Sequence, residues 1–522
     1  MYLKPNAPAA ASAGKSVIGF NLINGREVEG DLGMIESRSA VDRRDLVGMF
    51  PDSGEKDVAR AAKAAADAFK SWSTTPVAAR GAVIQRAGEI LAAHRERLAR
   101  IITREVGMTP GEALAEVQEA IDACAFFTSE AMHLQSRKLA SGAAAHRRPV
   151  GVCGILATGS SPLAAPWRKI LPAILCGNAV AWKPSDNAPT AAYLLLRALM
   201  EAGLPPGVVN TVNGRGRAGC GKHFLAGIDK GHYQSFSFVG SAALGRTVGE
   251  MCGRNLILPS LDLVGKGAMV VMPDADTDLA IQDALRAAFG HAGQRPIGLV
   301  NILLHEACAA RFTQQFMDKV ASLEVGNPMT DPGVAYGPMI NARSAATFRE
   351  HWDLGRAEGA TLLSGGDQWT EANRTPQVKG NIGHGAYMQP CVWEGVTPGM
   401  GLFRNQVLGP TVNLSRFADF DEALAGVNAS PCGPAISLYT QDRAWTERFK
   451  RETRADITNL NTTADDPGTR LPFAGYGTHP GSQVALDGFT RWQAVSDGVV
   501  DDPSQGTPLA PASPLQTDWA SL

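Results

Sequence analysis

No two cysteines in this chain stand close enough to form a CxxC pair, although eight are present: Cys124, Cys153, Cys176, Cys220, Cys252, Cys308, Cys391 and Cys432. Scattered thiols in apolar surroundings read as buried free cysteines of a reducing compartment, the cytoplasm, and not as a disulfide framework. Neither charge sign dominates. The 49 basic residues face 51 acidic ones, a formal net charge of -2, so nothing favours nucleic acid or an anionic membrane as a partner. No uncharged apolar run approaches the roughly 18 residues of a membrane span. The opening MYLKPNAPAAASAGKS has no apolar core of the kind a secretory leader needs. No internal repeat is present.

What is present is an ordinary globular balance, 44% apolar and 19% charged, over 522 residues. That length exceeds one simple core and predicts two or three units. Residues 1–18 read as a loose arm. Asn21 to Val28 predicts a hairpin turning at Asn24-Gly25. Ser53 to Phe69 predicts a helix capped by Ser53, Ala78 to Thr103 a second helix and Glu112 to Glu130 a third. Beyond the polar stretch 139–148, short apolar runs alternate with helical ones. The runs are PVGVCGILAT, Ala179 to Trp182, Val208 to Val212, Ser235 to Val239 and Leu256 to Leu261. Such alternation predicts βαβ units around a parallel sheet covered on both faces. A second α/β unit follows, with strands at Leu299 to Leu304, Thr361 to Ser364, Tyr387 to Val392, Thr411 to Leu414 and Ala435 to Tyr439. The Pro/Ser-rich end, from about Val500, reads as a strap or tail.

Two stretches carry candidate cofactor chemistry. In FSFVGSAALGR a strand runs through Gly240 and Ser241 into a helix containing Gly245. A helix start at a strand end can receive a phosphate, but the spacing lacks the three-glycine fingerprint and also fits a plain tight turn. In AWKPSD, Lys183 ends a predicted strand and Pro184 stops it, which leaves Lys183 and Asp186 placed to hold a ribose hydroxyl pair. A solvated charge pair explains this stretch equally well.

Taken in order, the blocks FPDSGEKDVARAAKAAADAFKSW, RPVGVCGIL, KILPAILCGNAVAWKPSD, GLPPGVVNTVNG, FSFVGSAALGR, LDLVGKGAMVVMPDAD, FGHAGQR, VGNPMTDPGVAYGPMI, VLGPTVNLSRF and LPFAGYG make the chain resemble the aldehyde dehydrogenase superfamily over roughly residues 20 to 495. The resemblance leans toward enzymes of carboxylated semialdehydes. It implies an α/β fold with a Rossmann-type dinucleotide-binding domain (19–138 and 157–261) and a catalytic-type α/β domain (262–455). It also implies a return segment and cleft loop (456–483), oligomerisation elements (139–156 and 484–502) and a tail (503–522). A homodimer or tetramer is the expected assembly.

The resemblance also assigns roles. Lys169, Lys183, Gly240, Ser241, Gly245, Lys266, Gly409 and Pro410 match the family pattern, and Asp186 is a shortened ribose-contact carboxylate that favours NAD over NADP. Pro296 stands where the nucleophilic cysteine belongs, Ser160 where an oxyanion-binding asparagine belongs, and Asp262 where a water-activating glutamate belongs. Val264 takes a glycine position, Gln406 the position of the nicotinamide-ribose glutamate, and Leu408 that of a phenylalanine. Proline brings neither a nucleophile nor an N–H, and one oxyanion donor alone is worth roughly 3–4 kcal/mol. His291 reads as a proton shuttle or, more simply, a polar helix cap. Arg295 reads as a carboxylate ligand or an internal clamp, and Tyr476 and His479 as cleft lining.

These departures predict a divergent member deficient in classical aldehyde oxidation, with NAD binding weakened or lost. Such a member would be retained for ligand binding, regulation or assembly with a catalytically complete paralogous subunit. The competing expectation is an NAD(P)-dependent oxidoreductase acting on an aldehyde, semialdehyde or cyclic imine without a thiohemiacetal intermediate. A conventional oxidoreductase with a relocated cysteine nucleophile is the third.

Overall fold

The computed structural model describes residues 15–134, 137–138, 143–216, 219–263, 265, 267–405, 407–429, 435–463 and 482–496. Of the six sheets they form, three position the cleft and the arm. The first is parallel and five-stranded, in the spatial order Val209–Thr211, Ala179–Lys183, Val152–Leu156, Ser235–Gly240, Leu258–Leu263. The chain enters at the central strand, moves outward to one side, then crosses to the other. This order leaves a crevice between the carboxyl ends of Val152–Leu156 and Ser235–Gly240, the place where α/β sheets receive ligands.

The second sheet has seven strands, in the order Thr361–Ser364, Cys391–Glu394, Thr411–Phe417, Leu299–His305, Gly267–Val271, Ala435–Tyr439, Ile457–Leu460. All pair parallel except Thr361–Ser364, which lies antiparallel on the edge. Its central strands are apolar on both faces (Met269, Val270, Ile302, Leu303), as expected where helices cover a parallel sheet from both sides. The chain passes from Leu263, at the carboxyl edge of the first sheet, to Gly267, at the amino edge of the second, within four residues. The two edges therefore face each other, and the cleft lies between them.

The third sheet is a small antiparallel one in which Thr490–Ser496 pairs with Ala143–Pro149, which pairs with Arg137–Lys138. Buried Asn178 ties this arm to the first sheet. Its amide Nδ2 donates to the carbonyls of Ala173 (3.0 Å) and Phe489 (2.9 Å), and its Oδ1 accepts the Gly151 N–H (3.0 Å).

Several elements differ from the sequence expectation for identifiable reasons. Ser53 does not cap the first helix. Its hydroxyl accepts from Asn21 Nδ2, and the helix Glu55–Trp72 starts after Gly54 without a side-chain cap. The single helix expected over Ala78 to Thr103 is two, Val77–Ala93 and Arg95–Val106, parted at His94 (φ -113, ψ 14). Val152–Leu156, assigned above to the oligomerisation hairpin, is the centre of the first sheet. The fifth strand runs over Leu258–Leu263, two residues later than expected. The last turn before it is left-handed Leu256 (φ 54). The helix Ala342–Ala357 was not anticipated. The expected hairpin is present as Asn21–Ile23 and Arg26–Val28, with Asn24 (φ 52) and Gly25 (φ 70) in the turn.

Replacing Asn178 by Ala strands the buried Gly151 N–H and removes the amide donor of the Phe489 carbonyl, while the Ala173 carbonyl keeps the backbone N–H of residue 178 at 3.0 Å. A loss of about 3 kcal/mol is expected, read as a lower urea midpoint at unchanged slope.

Candidate functional site

The residues of the cleft are gripped from one helix. Pro110–Glu130 begins with a reciprocal capping box, Thr109 with Glu112. Glu112 does more than cap. While Oε2 takes the Thr109 N–H (3.0 Å) and hydroxyl (2.9 Å), Oε1 takes the His291 N–H (2.6 Å) and Arg295 Nη2 (3.1 Å). One helical turn later, Glu116 Oε1 accepts the N–H groups of Leu163 and Ala164 and the Ser161 hydroxyl, each at 2.9 Å. The two carboxylates thus hold the two loops that form the cleft floor, the Thr158–Leu163 turn after the central strand and the Gly290–Ile297 turn before Leu299–His305. Arg295 is an internal clamp.

The second of these loops is unusual in backbone. His291 (φ 50), Ala292 (φ 52) and Gly293 (φ 67) are consecutive left-handed residues. Gly293 has no substitute there, since a Cβ would lie 2.0 Å from the Gly409 carbonyl oxygen, and the Gly409 N–H donates to the Gly293 carbonyl at 3.2 Å. This contact carries half-buried Leu408 to the cleft. Buried Gln294 donates to the carbonyls of His291 and Pro338 and accepts the Ile340 N–H. Pro296 presents its carbonyl to the Gly265 N–H (3.0 Å), which fastens the loop to the segment that follows Asp262. His291 is no helix cap. Its ring is 1% exposed and neither nitrogen has a hydrogen-bond partner.

On the cofactor side, Lys183 ends its strand 1% exposed, and its ammonium has no hydrogen bond or ion pair among the described residues. Leaving a buried ammonium unpaired is costly, and such a group is a docking point for ligand oxygens. Asp186, on the same turn, accepts the Gly216 N–H at 3.1 Å through one oxygen. Gly159 lets the Ser160 turn press on this one, because a Cβ would lie 2.6 Å from Ser185 Oγ. The helix Ala164–Leu175 has its first N–H groups satisfied by Glu116, so its start is closed to a phosphate. The helix Ala242–Arg254 differs. It starts after Ser241 on the crevice, whose Oγ accepts the Leu244 N–H at 3.4 Å, and lies close on the sheet because Gly245 leaves room for Leu263. Unpaired Lys183, the Gly240–Ser241 helix start and the sheet's reversal point together fit a dinucleotide.

On the reaction side, Lys169 Nζ lies 2.7 Å from Asp262 Oδ1 and 3.1 Å from Ser260 Oγ. The position expected to carry a free base is therefore a largely buried ion pair. Ser160 Oγ lies 3.1 Å from Thr158 Oγ1. Asp456, whose neighbour Ile457 packs with Ala435 and with Ile297 beside Pro296, was missed in the sequence. Burial, and then the Asp262 charge, raises its carboxyl. The seven described cysteines are buried and free. Burial pushes their thiols up, Cys252 to about 11 and Cys124, Cys176, Cys220 and Cys391 to about 12, so none is a ready thiolate. Val264, Lys266, Gln406, Cys432, Tyr476 and His479 lie outside the described residues. Glu112 and Glu116 were also missed. The T-x-x-E signature at Thr109 was legible, but its second use in the cleft had no local signal.

The pattern of the aldehyde dehydrogenase family matches residues 28–495. The chain belongs to the aldehyde dehydrogenase family. It is 32% identical to the α-ketoglutarate semialdehyde dehydrogenase of Haloferax volcanii, over 87% of this chain and 93% of that one. It is 29% identical to malonate-semialdehyde dehydrogenase 1 of Geobacillus thermodenitrificans, over 87% and 92%. The crystal structure of the NAD-dependent aldehyde dehydrogenase from Sinorhizobium meliloti superposes with a TM-score of 0.86 at 26% identity, over 92% and 94%. These findings correct the expectation of a silent member. Relatives matched over 87% of this chain are named as dehydrogenases, and among the described residues both sheets and the two loops of the cleft floor are formed. What Pro296 removes locally does not remove the frame, so the reading of a pseudoenzyme kept for binding, regulation or assembly is withdrawn. Among the described residues no helix is long and apolar enough to cross a membrane.

The His291 ring has a consequence for stability. Burial holds it at about 4, against about 6.5 when unfolded. Its folded value is depressed, so stability present above pH 6.5 is lost as pH falls toward 4. Lowering pH from 7 to 5 should cost about 2 kcal/mol through this group. His291→Leu should remove that share of the loss, as urea unfolding at the two pH values would show.

Proposed function

We propose that this protein is an NAD-dependent oxidoreductase that oxidises an aldehyde, a semialdehyde or a cyclic imine without a thiohemiacetal at position 296. The observation that carries the reading is Lys183, a buried ammonium with no partner among the described residues, at the carboxyl edge of the first sheet, where a ribose or phosphate oxygen would complete it. The family names of the relatives support the reaction class, and the Asp186 carboxylate supports NAD over NADP. When bound, the dinucleotide supplies the hydride acceptor.

The chain's own groups then have limited tasks. Lys183 and the Gly240–Ser241 helix start bind, Ser160 offers a hydroxyl to a substrate oxygen, and Asp262 with Lys169 holds a proton-exchanging pair at the cleft. Oxidation of a hydrated aldehyde, or of the hemiaminal of a cyclic imine, suits this set. The carbon gives up hydride, one hydroxyl gives up its proton, and no bond to the protein forms or breaks. Buried thiols and proline at position 296 support that route over acyl transfer. We further propose a cytoplasmic homodimer or tetramer assembled through the arm sheet, whose strand Thr490–Ser496 exposes Trp492 and Val495.

Titration with NAD, followed by protein fluorescence or calorimetry, tests the binding step. Lys183→Met should weaken NAD binding by roughly 10- to 100-fold, the worth of one charge-assisted hydrogen bond. A parent protein that binds no NAD up to millimolar concentration, or forms no NADH from any member of an aldehyde, semialdehyde and cyclic imine panel, overturns the proposal.

A further inference from the structure

Inside the seven-stranded sheet, one buried strand face is polar where apolar side chains are the rule. Thr411–Phe417 is paired on both sides, with Cys391–Glu394 and Leu299–His305. A parallel strand covered on both faces is normally apolar throughout. Here Thr411, Asn413 and Ser415, which alternate onto one face, are all buried. Asn301 stands opposite Asn413 on the neighbouring strand and is also fully buried. Polar side chains taken out of water cost stability unless they are hydrogen-bonded, and apolar ones would serve the core better.

The bonds of this face run to one connection. Ser415 Oγ donates to the Val396 carbonyl (2.6 Å), Asn413 Nδ2 to the Leu402 carbonyl (3.0 Å) and Asn301 Nδ2 to the Phe403 carbonyl (3.2 Å). Asn413 Nδ2 also donates to Asn301 Oδ1 at 2.8 Å, which locks the two amides together. From the other side, Glu358 accepts the N–H groups of Gly401 (2.6 Å) and Leu402 (2.8 Å). The short helix Gly401–Arg404 is therefore fastened twice, once to the sheet and once to the end of the helix Ala342–Ala357. Beyond it the chain loops from Phe403 back to Thr411. The far end of that loop is Gly409, whose N–H donates to the Gly293 carbonyl in the cleft floor. Pinning the base of a loop removes conformations its tip would otherwise sample.

We propose that Asn413 and Asn301 are positioning residues: by holding the Leu402 and Phe403 carbonyls they fix the loop whose Gly409 end braces the Gly293 turn, and with that turn the place of the substrate carbon against the hydride acceptor. This rests on the oxidoreductase reading of the cleft. Both amides act through the loop. The groups assigned to NAD binding, Lys183 and the Gly240–Ser241 helix start, belong to the other sheet, so binding and reaction should come apart when the amides are changed.

Asn413→Leu keeps the volume and removes the donor. At a temperature where circular dichroism shows it folded, calorimetry should give it the parent's NAD affinity. Its kcat for NADH formation should fall by about 10- to 100-fold, the effect of misplaced reacting groups, with little change in KM. Hydride transfer then limits turnover, so the aldehyde of the panel that the parent oxidises fastest should react several times more slowly when deuterated at C1. A loss of stability alone would produce no such isotope effect. Glu358→Ala, which loosens the same segment from outside the sheet core, should show the same pattern in smaller measure. A folded Asn413→Leu protein with parental kcat, with a kcat loss free of an isotope effect, or with a matching loss of NAD affinity overturns the inference and leaves the oxidoreductase reading standing. Should Asn413→Leu not fold, Glu358→Ala decides in its place, and parental kcat there overturns the inference. A parent without NADH formation overturns both.

Discussion

Two carboxylates one helical turn apart, Glu112 and Glu116, set the geometry of everything around the cleft. Side chains at this spacing lie about 6 Å apart on one helix face, and each ends in a loop from a different sheet. Glu116 closes the start of the helix that follows the central strand of the first sheet, and Glu112 holds the turn that feeds the second. The hydrogen bonds involved are charge-assisted and largely removed from water, where each is worth about 1.5–3 kcal/mol. Without them the two sheets would still fold around their own apolar strands. The Ser160 and Pro296 turns would then have no common reference.

That arrangement accounts for one cluster of costly features. Three left-handed residues in a row, an imidazole without partners and an ammonium without partners all lie along the facing edges of the two sheets. Elsewhere Asn178 and Asn21 satisfy their amides within the protein, while other buried polar atoms, among them Tyr233 Oη and Trp393 Nε1, make no hydrogen bond among the described residues. Among the described residues the Lys183 ammonium makes no hydrogen bond or ion pair. A fold stable enough to carry such groups can afford them where they act, and the glycine contact between Gly293 and Gly409 keeps the loop from relaxing away from them.

Much of the architecture was legible in short-range chemistry. Apolar runs such as AVAWK and SFSFVG are too uniformly buried for one-sided strands and announced a covered parallel sheet, and Asn24-Gly25 announced its turn. What stayed hidden depended on partners distant in the chain. Ser53 looks like a helix cap, but its hydroxyl is claimed by Asn21. Val152–Leu156 continues the arm strand Ala143–Pro149 in sequence, and only the turn at Gly151 (φ 135) and pairing with Ala179–Lys183 and Ser235–Gly240 reveal it as the centre of another sheet. The functional misreading has the same origin. Pro296 tells which side chain is missing, whereas the condition of the surrounding cleft is written in Glu112, Glu116 and Lys183, none of which borders it in sequence.

A cleft with proline at its centre favours a particular chemistry. Where an N–H is absent, a tetrahedral oxyanion loses a fixed dipole. Lys169 is already engaged by Asp262 at 2.7 Å, so it cannot meet a full negative charge without giving up that carboxylate. Build-up of charge on substrate oxygen is therefore poorly supported. Loss of hydride from a carbon that already bears a hydroxyl needs no such build-up, because the proton leaves as the carbonyl forms and the Asp262–Lys169 pair can exchange it with little change in net charge. The same pairing that disables Asp262 as a free base makes it suited to that step.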